Sequence, residues 1–307
     1  MVNSVAGDAA GLGGWRGESM RRAGRVGQVG EGSERHVEGE GCGAMRGDQE
    51  ERYERQLRLR ELGRAGQERL LAARVAVVGA GGLGSPALLY LAAAGVGTLG
   101  VVDGDRVELS NLNRQIMHRT AALGRAKAES AAAAVESLNP DVSVRVHRHP
   151  LAPENAIELL REYDVVVDAT DNLGSRYLIN DACAILRIPW VHGSVLRFDG
   201  QLATFVRGAG PCYRCLFPAP PAPGAVPGTA EVGVLGAVPG VIGALQALEA
   251  VKLILGVGTP LCGELLLFGG LGAEFTRVRV ARNPSCPACG DEPQITAVTA
   301  GRPEYDA

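Results

Sequence analysis

From Arg74 the chain enters a short β-branched run, Val75, Ala76, Val77 and Val78, that stops at Gly79. The pattern reads as a buried strand meeting a turn. Leu83 to Ala94 is Leu- and Ala-rich and of helical length, and Gly95 and Gly97 close it. A second apolar run, Leu99 to Val102, ends on Asp103. Upstream, residues 51–73 carry a helical pattern in which Leu57, Leu62, Leu70 and Leu71 can face a core. Downstream, an Ala-rich helix opens at 124–127 and is closed by Asn139-Pro140. Residues 142–146 alternate as a third strand, 154–161 form a short helix and 164–168 an apolar fourth strand. A helix over 173–187 leads to a strand over 189–193. Three more strands follow at 200–206, 264–268 and 274–280, the first of them expected to be antiparallel. Alternation of strand and helix, then strands alone, predicts an α/β fold: a mostly parallel twisted sheet continued by antiparallel strands.

Gly79, Gly81 and Gly84 follow the spacing G-x-G-x-x-G between the first strand and its helix, with Gly82 inside the same loop. Such a loop lets phosphate oxygens approach the backbone at a helix N-terminus, where unpaired N–H groups and the helix dipole favour anions. Asp103 lies 19 residues after Gly84, where a carboxylate can accept hydrogen bonds from a ribose hydroxyl. The stretch predicts a Rossmann-like nucleotide site, and by itself makes NAD or FAD the default ligand. Ser110-Asn111-Leu112-Asn113-Arg114-Gln115 follows the second strand directly, so Arg114 can reach phosphates held by the loop. Lys127 sits in the first turn of the next helix, where the dipole disfavours a cation and a nearby anion would explain it. Asp171 and Asn172 fall at the carboxyl end of the fourth strand. A carboxylate there either caps the following helix or holds Mg²⁺ on a triphosphate. Arg52, Tyr53, Arg55 and Gln56 form a dense polar group near the start of the upstream helix, and alone read as a solvated face.

The 307 residues suffice for a sizeable core, and a net charge of −3 gives no general reason to expect nucleic-acid or membrane binding. Residues 1–47 are Gly-rich without apolar periodicity and read as a disordered tail. Arg21-Arg22 has no apolar run behind it, so no secretory signal is expected, and Met45 is an alternative start. The ordered domain is expected over 48–290, with a loose tail over 291–307. Of seven cysteines, four form two C-x-x-C pairs, Cys212/Cys215 and Cys286/Cys289, with 70 residues between them. Four thiolates from two knuckles complete a closed tetrahedral Zn²⁺ shell, which predicts a structural metal clasp and a reducing, cytoplasmic setting. Cys42, Cys183 and Cys262 are read as incidental. The Pro- and Gly-rich stretch 218–233 reads as a mobile cover over a site. The apolar run after it contains Pro239, Gln246, Glu249 and Lys252, which favours a buried or dimer-facing helix over a membrane span.

Together these motifs resemble the MoeB/ThiF/HesA adenylyltransferases, relatives of ubiquitin-activating enzymes, over about residues 48–290. The resemblance rests on RYERQ at 52–56, GAGGLG at 79–84, Asp103 and Asp105, SNLNRQ at 110–115, GRAK at 124–127, TDN at 170–172, PCYRCLFP at 211–218 and NPSCPACG at 283–290. It implies ATP-dependent adenylylation of the C-terminal Gly-Gly carboxylate of a ubiquitin-like sulfur carrier of MoaD or ThiS type. The glycine loop and Asp103 would bind ATP, with Asp105, Ser110, Asn111, Gln115 and Asn172 around it. Arg114 and Lys127 would contact phosphates, Asp171 would orient Mg²⁺, and Arg55 would act on the neighbouring subunit of a homodimer. Relatives that link covalently to the carrier have a cysteine in a C-x-E-x-G context, which here reads Thr229-Ala230-Glu231-Val232-Gly233. This implies adenylylation without a covalent intermediate and leans towards a molybdopterin-type role, with a separate cysteine desulfurase or rhodanese as sulfur donor. Thiamine-type activation, a tRNA-modifying dehydratase or a peptide-adenylating enzyme of the same superfamily, and an NAD-dependent oxidoreductase are the competing readings. A zinc-ribbon scaffold is the non-enzymatic one.

Overall fold

The computed structural model describes residues 45–222, 225 and 229–306. Of the tail expected over 1–47, residues 1–44, with Cys42, lie outside the described residues, whereas Met45 is buried and Gly47 opens the first helix; 223, 224 and 226–228 of the expected cover also lie outside. Three helices come first, α1 (Gly47–Arg52), α2 (Glu54–Leu57) and α3 (Gly63–Ala72). The sequence pattern predicts one continuous helical segment here. It breaks at Tyr53, which leaves the helical path and inserts into the core at 1% exposure. Its hydroxyl accepts from Asn139 Nδ2 at 2.8 Å, and Gly95 makes room for its ring, since a Cβ there would lie 2.6 Å from Tyr53 Cζ.

The parallel half follows as β1 (Arg74–Val78), α4 (Gly84–Ala94), β2 (Thr98–Val102), α5 (Lys127–Leu138), β3 (Ser143–His147), α6 (Ala156–Leu160), β4 (Val165–Asp168), α7 (Leu173–Leu186) and β5 (Trp190–Leu196). Then come β6 (Asp199–Phe205), α8 (Tyr213–Leu216), α9 (Thr229–Val232), α10 (Ala237–Leu255), β7 (Glu264–Gly269) and β8 (Glu274–Arg279). All eight strands join one sheet in the order β3-β2-β1-β4-β5-β6-β7-β8. Pairing is parallel from β3 to β5 and antiparallel from β5 to β8, as the sequence predicts. β1, β2 and β4 are apolar almost throughout because both of their faces are covered.

Alternation along β5 shows what covers each face. Gly193 faces α10, where a Cβ would lie 2.5 Å from Gln246 Cδ, while His192 faces the Tyr213 ring of α8 on the other side. α10 is the one described helix long and apolar enough to cross a membrane, and it is packed instead against α4 and β4–β6. Its polar residues are used inside the fold. Glu249 accepts from Thr204 Oγ1 at 2.6 Å and from the Leu261 amide at 2.8 Å, and pairs with Lys252.

The segment after 291 is docked rather than loose. Ile295 is buried beside the cysteines, Glu304 pairs with Arg214 at 3.2 Å, and the Tyr305 hydroxyl donates to Asp181 at 2.8 Å. Composition hides this because the contacts are made by single polar side chains spaced along an irregular segment. Arg214 itself is fully buried and bidentate to Asp181, at 2.8 and 2.7 Å. Removing one partner of such a pair leaves an uncompensated buried charge. Arg214→Met is therefore expected to lower unfolding free energy in urea by about 3–5 kcal/mol. Adding Asp181→Leu to Arg214→Met should recover part of that loss.

Candidate active site and metal centre

The glycine loop is braced from beneath. Asp103, buried at the end of β2, accepts from the Ala80 amide through Oδ2 and from the Asp105 amide through Oδ1, both at 2.8 Å. The Ala80 carbonyl is held as well, 2.9 Å from His118 Nε2, while His118 Nδ1 lies 2.9 Å from Ser130 Oγ. Nε2 must donate to a carbonyl, so Nδ1 of the neutral ring accepts from the serine hydroxyl. Gly79 has φ 98°, and a Cβ on it would come 2.5 Å from the Ala169 carbonyl oxygen. Glycine is required there by both conformation and space. A Cβ at Gly84 would clash with the Gly79 carbonyl, so the loop can pack this closely only without side chains.

Arg114 and Gln115 border this loop. The Arg114 Cγ would lie 3.6 Å from a Cβ at Gly82, and Gln115 Nε2 3.6 Å from one at Gly81. Arg114 Nη1 donates to the Ser110 carbonyl at 2.9 Å and to Asn113 Oδ1 at 3.2 Å. Asn111 is buried and its Oδ1 accepts from the Glu108 amide at 3.1 Å, so it shapes the turn. Gln115 is also buried, and its Oε1 has no partner among the described residues. An orphaned buried acceptor beside the loop costs free energy until a donor arrives.

Lys127 meets its expected anion within the chain: Nζ lies 2.8 Å from Asp105 Oδ2. The lysine side chain is 9% exposed and that of Asp105 74%, so one partner is held and the other faces solvent. At the end of β4, Asn172 caps α7 by accepting from the Ser175 amide at 2.8 Å. The capping alternative for Asp171 therefore falls to its neighbour, and Asp171 is exposed with no partner among the described residues. Arg55 is not brought to this group. Its neighbour Gln56 donates to Ala94, at the C-terminal end of α4, about 16 Å of helix from the glycine loop. The rest of its polar group is structural, with Tyr53 in the core and Arg52 donating to the Leu138 carbonyl at 3.1 Å.

Around this sheet edge the buried residues His118, Asp168 and His192 carry no role in the sequence analysis, and Gln246 figures there only as a polar break in the apolar run. The available signals were an acid ending the apolar run VVVD, a histidine inside the strand WVHG and a glutamine on an apolar helix. Asp168 and His192 form a pair, Oδ2 to Nδ1, at 2.8 Å with almost no exposure. Burial outweighs the carboxylate and pushes the His192 imidazole below its ordinary range.

The two C-x-x-C knuckles meet, with all four sulfurs within 4.8 Å of one another. Cys212 and Cys286 are 3.5 Å apart and Cys215 and Cys289 3.4 Å. Sulfurs around Zn²⁺ at Zn–S of about 2.3 Å sit about 3.8 Å apart on a tetrahedron, so the cluster fits that ion with little movement. Hydrogen bonds from Cys212 and Cys289 hold the Cys286 thiol far below its ordinary range, while Cys212 is pushed up. The other two described thiols are poor nucleophiles. Burial pushes Cys183 up strongly and Cys262 up to about 12.

The ThiF family pattern matches residues 53–288. The sulfur carrier protein adenylyltransferase of Thermus thermophilus is 55% identical over 256 residues, covering 81% of this chain and 94% of its own length. Adenylyltransferase and sulfurtransferase MOCS3 of Mus musculus is 52% identical over 254 residues, covering 82% of this chain and 55% of that protein. The chain thus spans nearly all of the bacterial relative and about half of the mouse one. Among solved structures, Escherichia coli MccB with MccA-N7isoASN aligns with a TM-score of 0.70 at 21% identity, covering 78% of this chain and 75% of that one, a likeness of fold. The fold, the glycine loop and the four-cysteine cluster define an α/β protein with a phosphate-accepting loop and a four-thiol centre of tetrahedral-metal dimensions. The chain belongs to the ThiF family.

Burial lowers the imidazoles of His118, His147 and His192 from 6.5. The unfolded chain therefore binds more protons in this range, and stability rises with pH. It is fully present above about 6.5 and lost as pH falls below it. Thermal melts at about pH 7.5 and about pH 5.5 should show a lower Tm at the acid value, and His118→Gln, which keeps a donor for Ala80, should shrink the difference.

Proposed function

We propose that this protein adenylylates the C-terminal Gly-Gly carboxylate of a ubiquitin-like sulfur-carrier protein with ATP, ahead of thiocarboxylate formation for molybdenum cofactor or related sulfur transfer. The observation that carries the reading is the convergence of the glycine loop, Arg114, Gln115, the Lys127–Asp105 pair and Asp171 at the carboxyl ends of β1, β2 and β4. Family membership and relatives named adenylyltransferases favour ATP over a nicotinamide cofactor.

In this reading the loop amides and the α4 N-terminus receive phosphate oxygens, and Asp103 keeps lone pairs for the ribose hydroxyls. A carboxylate oxygen of the carrier bonds to the α-phosphorus as the bond from that phosphorus to the bridging oxygen breaks, releasing pyrophosphate. Arg114 and Lys127 neutralise the charge that develops on the leaving group, and Asp171 is the residue that would hold Mg²⁺, which when bound would supply further positive charge to the phosphates. Arg55, which makes no side-chain hydrogen bond or ion pair among the described residues, serves the site of a second copy in a homodimer. The cysteine cluster holds structural Zn²⁺, with no open position for catalysis. Sulfur comes from a separate donor protein. With threonine at 229, and Cys183 and Cys262 poorly reactive, the carrier leaves as the acyl-adenylate without a thioester or persulfide on the enzyme.

ATP–pyrophosphate exchange is expected with Mg²⁺ and one carrier ending in Gly-Gly, a molybdopterin-type carrier being tried first. Asp171→Ala should lower it by about 100-fold or more. Exchange with a peptide or nucleoside carboxylate but no carrier would overturn the substrate assignment, and binding of NAD in place of ATP would overturn the whole reading. On non-reducing gels no carrier–enzyme adduct should form, and one trapped on Cys183 or Cys262 would refute the non-covalent route. Metal analysis should find about one zinc per chain, and Cys289→Ser should lower both zinc content and Tm.

A further inference from the structure

Between β4 and α7 the chain must turn from buried Asp168 to exposed Asp171 within three residues. Asp168 shapes that turn through both carboxylate oxygens. Oδ1 accepts from the Thr170 amide at 3.0 Å and from Thr170 Oγ1 at 2.7 Å, and Oδ2 accepts from His192 Nδ1 at 2.8 Å. The main chain is pinned on either side. The Asp168 carbonyl accepts from Gln246 Nε2 at 2.5 Å, and the Ala169 amide donates to Val78 at 2.9 Å, next to the glycine loop. Among the described residues His192 is the one side-chain donor to Oδ2. Without it that oxygen would be buried and unpaired, and the carboxylate would have to turn towards another donor and give up Thr170.

His192 is itself fixed from the side of the cysteine cluster. Its ring meets Tyr213 at 5.2 Å between centroids and 63°, and Trp190 at 6.0 Å and 70°. Tyr213 stands between Cys212 and Cys215, with its amide donating to Asn180 of α7 at 2.9 Å. The knuckle, β5 and the turn into α7 are thus packed as one body.

We propose that His192 is a positioning residue that acts through Asp168 and Thr170 to set where Asp171 stands in the turn between β4 and α7. The inference rests on the adenylylation reading, in which Asp171 takes Mg²⁺ on ATP. It adds that the hydrogen bond from the imidazole, and not merely its bulk, maintains the placement.

The test is the gain in ATP affinity on adding Mg²⁺, measured by calorimetry on the zinc-loaded full chain without carrier. His192→Phe keeps the ring against Tyr213 and removes the donor, whereas His192→Asn keeps a donor near the Nδ1 position. The expected wild-type gain is about tenfold. It should vanish in Asp171→Ala and His192→Phe, with Mg²⁺-free affinity held within about twofold, and return in His192→Asn. Thr170→Val, which removes one bond to Asp168 at lower risk to folding, should lose part of the gain and answers the question if His192→Phe does not fold. Either His192→Phe or Thr170→Val retaining the full wild-type gain overturns the inference, as does equal loss of Mg²⁺-free and Mg²⁺-bound affinity in His192→Phe. A wild type that binds no ATP overturns the adenylylation reading together with it. A wild type that shows both the gain and exchange, alongside a variant that keeps the gain, overturns the role of His192 alone.

Discussion

A carboxylate taken out of water at the end of a strand must find donors, and at Asp103 the donors are the amides of Ala80 and Asp105. That single requirement ties the glycine loop to β2. It draws Ala80 down, leaves Gly79 at a φ open to glycine, and brings the loop against the Ala169 carbonyl of the next strand over. The same device recurs at β4, where Asp168 gathers Thr170 and His192. Two buried carboxylates therefore organise the sheet edge on which the proposed chemistry takes place. In each case the loop geometry follows from the need to satisfy the charge.

The antiparallel half serves this edge indirectly. β6 and β7 extend the sheet and α10 covers one face, with Gln246 reaching through to Asp168 and Val191 carbonyls. On the opposite face the first cysteine knuckle rests on α7 through Asn180 and Asp181, and the C-terminal segment closes over Arg214. The cysteine knuckle rests on α7 and the glycine loop on the end of β4, and α7 follows β4 after one short turn. A metal with a closed ligand shell can thus matter to a distant site by holding its supports in place.

Legibility in the sequence followed the range of the interaction that makes each feature. Gly79 and Gly84 were readable because a local turn dictates them, and the cysteine pairs because metal geometry dictates their spacing. Strand alternation gave the switch from parallel to antiparallel pairing. What stayed hidden were polar residues whose partners are far along the chain. Tyr53 meets Asn139, Arg214 meets Asp181 and Glu304, and His192 meets Asp168. A buried polar side chain looks like a surface one until its partner is known. Lys127 lay between these cases, since its position in the first helical turn called for an anion without saying that Asp105 supplies it.

The Lys127–Asp105 pair also bears on how the site handles charge. The Lys127 side chain is nearly enclosed while that of Asp105 is mostly in water, so the pair is screened from one side and Asp105 can turn to solvent at little cost. The ammonium cannot follow, because its stem is packed at the start of α5. In the proposed reaction an arriving triphosphate would find the cation already in place and only its counter-ion to displace. Positive charge held beforehand need not be reorganised as charge builds on the leaving pyrophosphate, and such preorganisation is where most of the rate is gained in phosphoryl and nucleotidyl transfer.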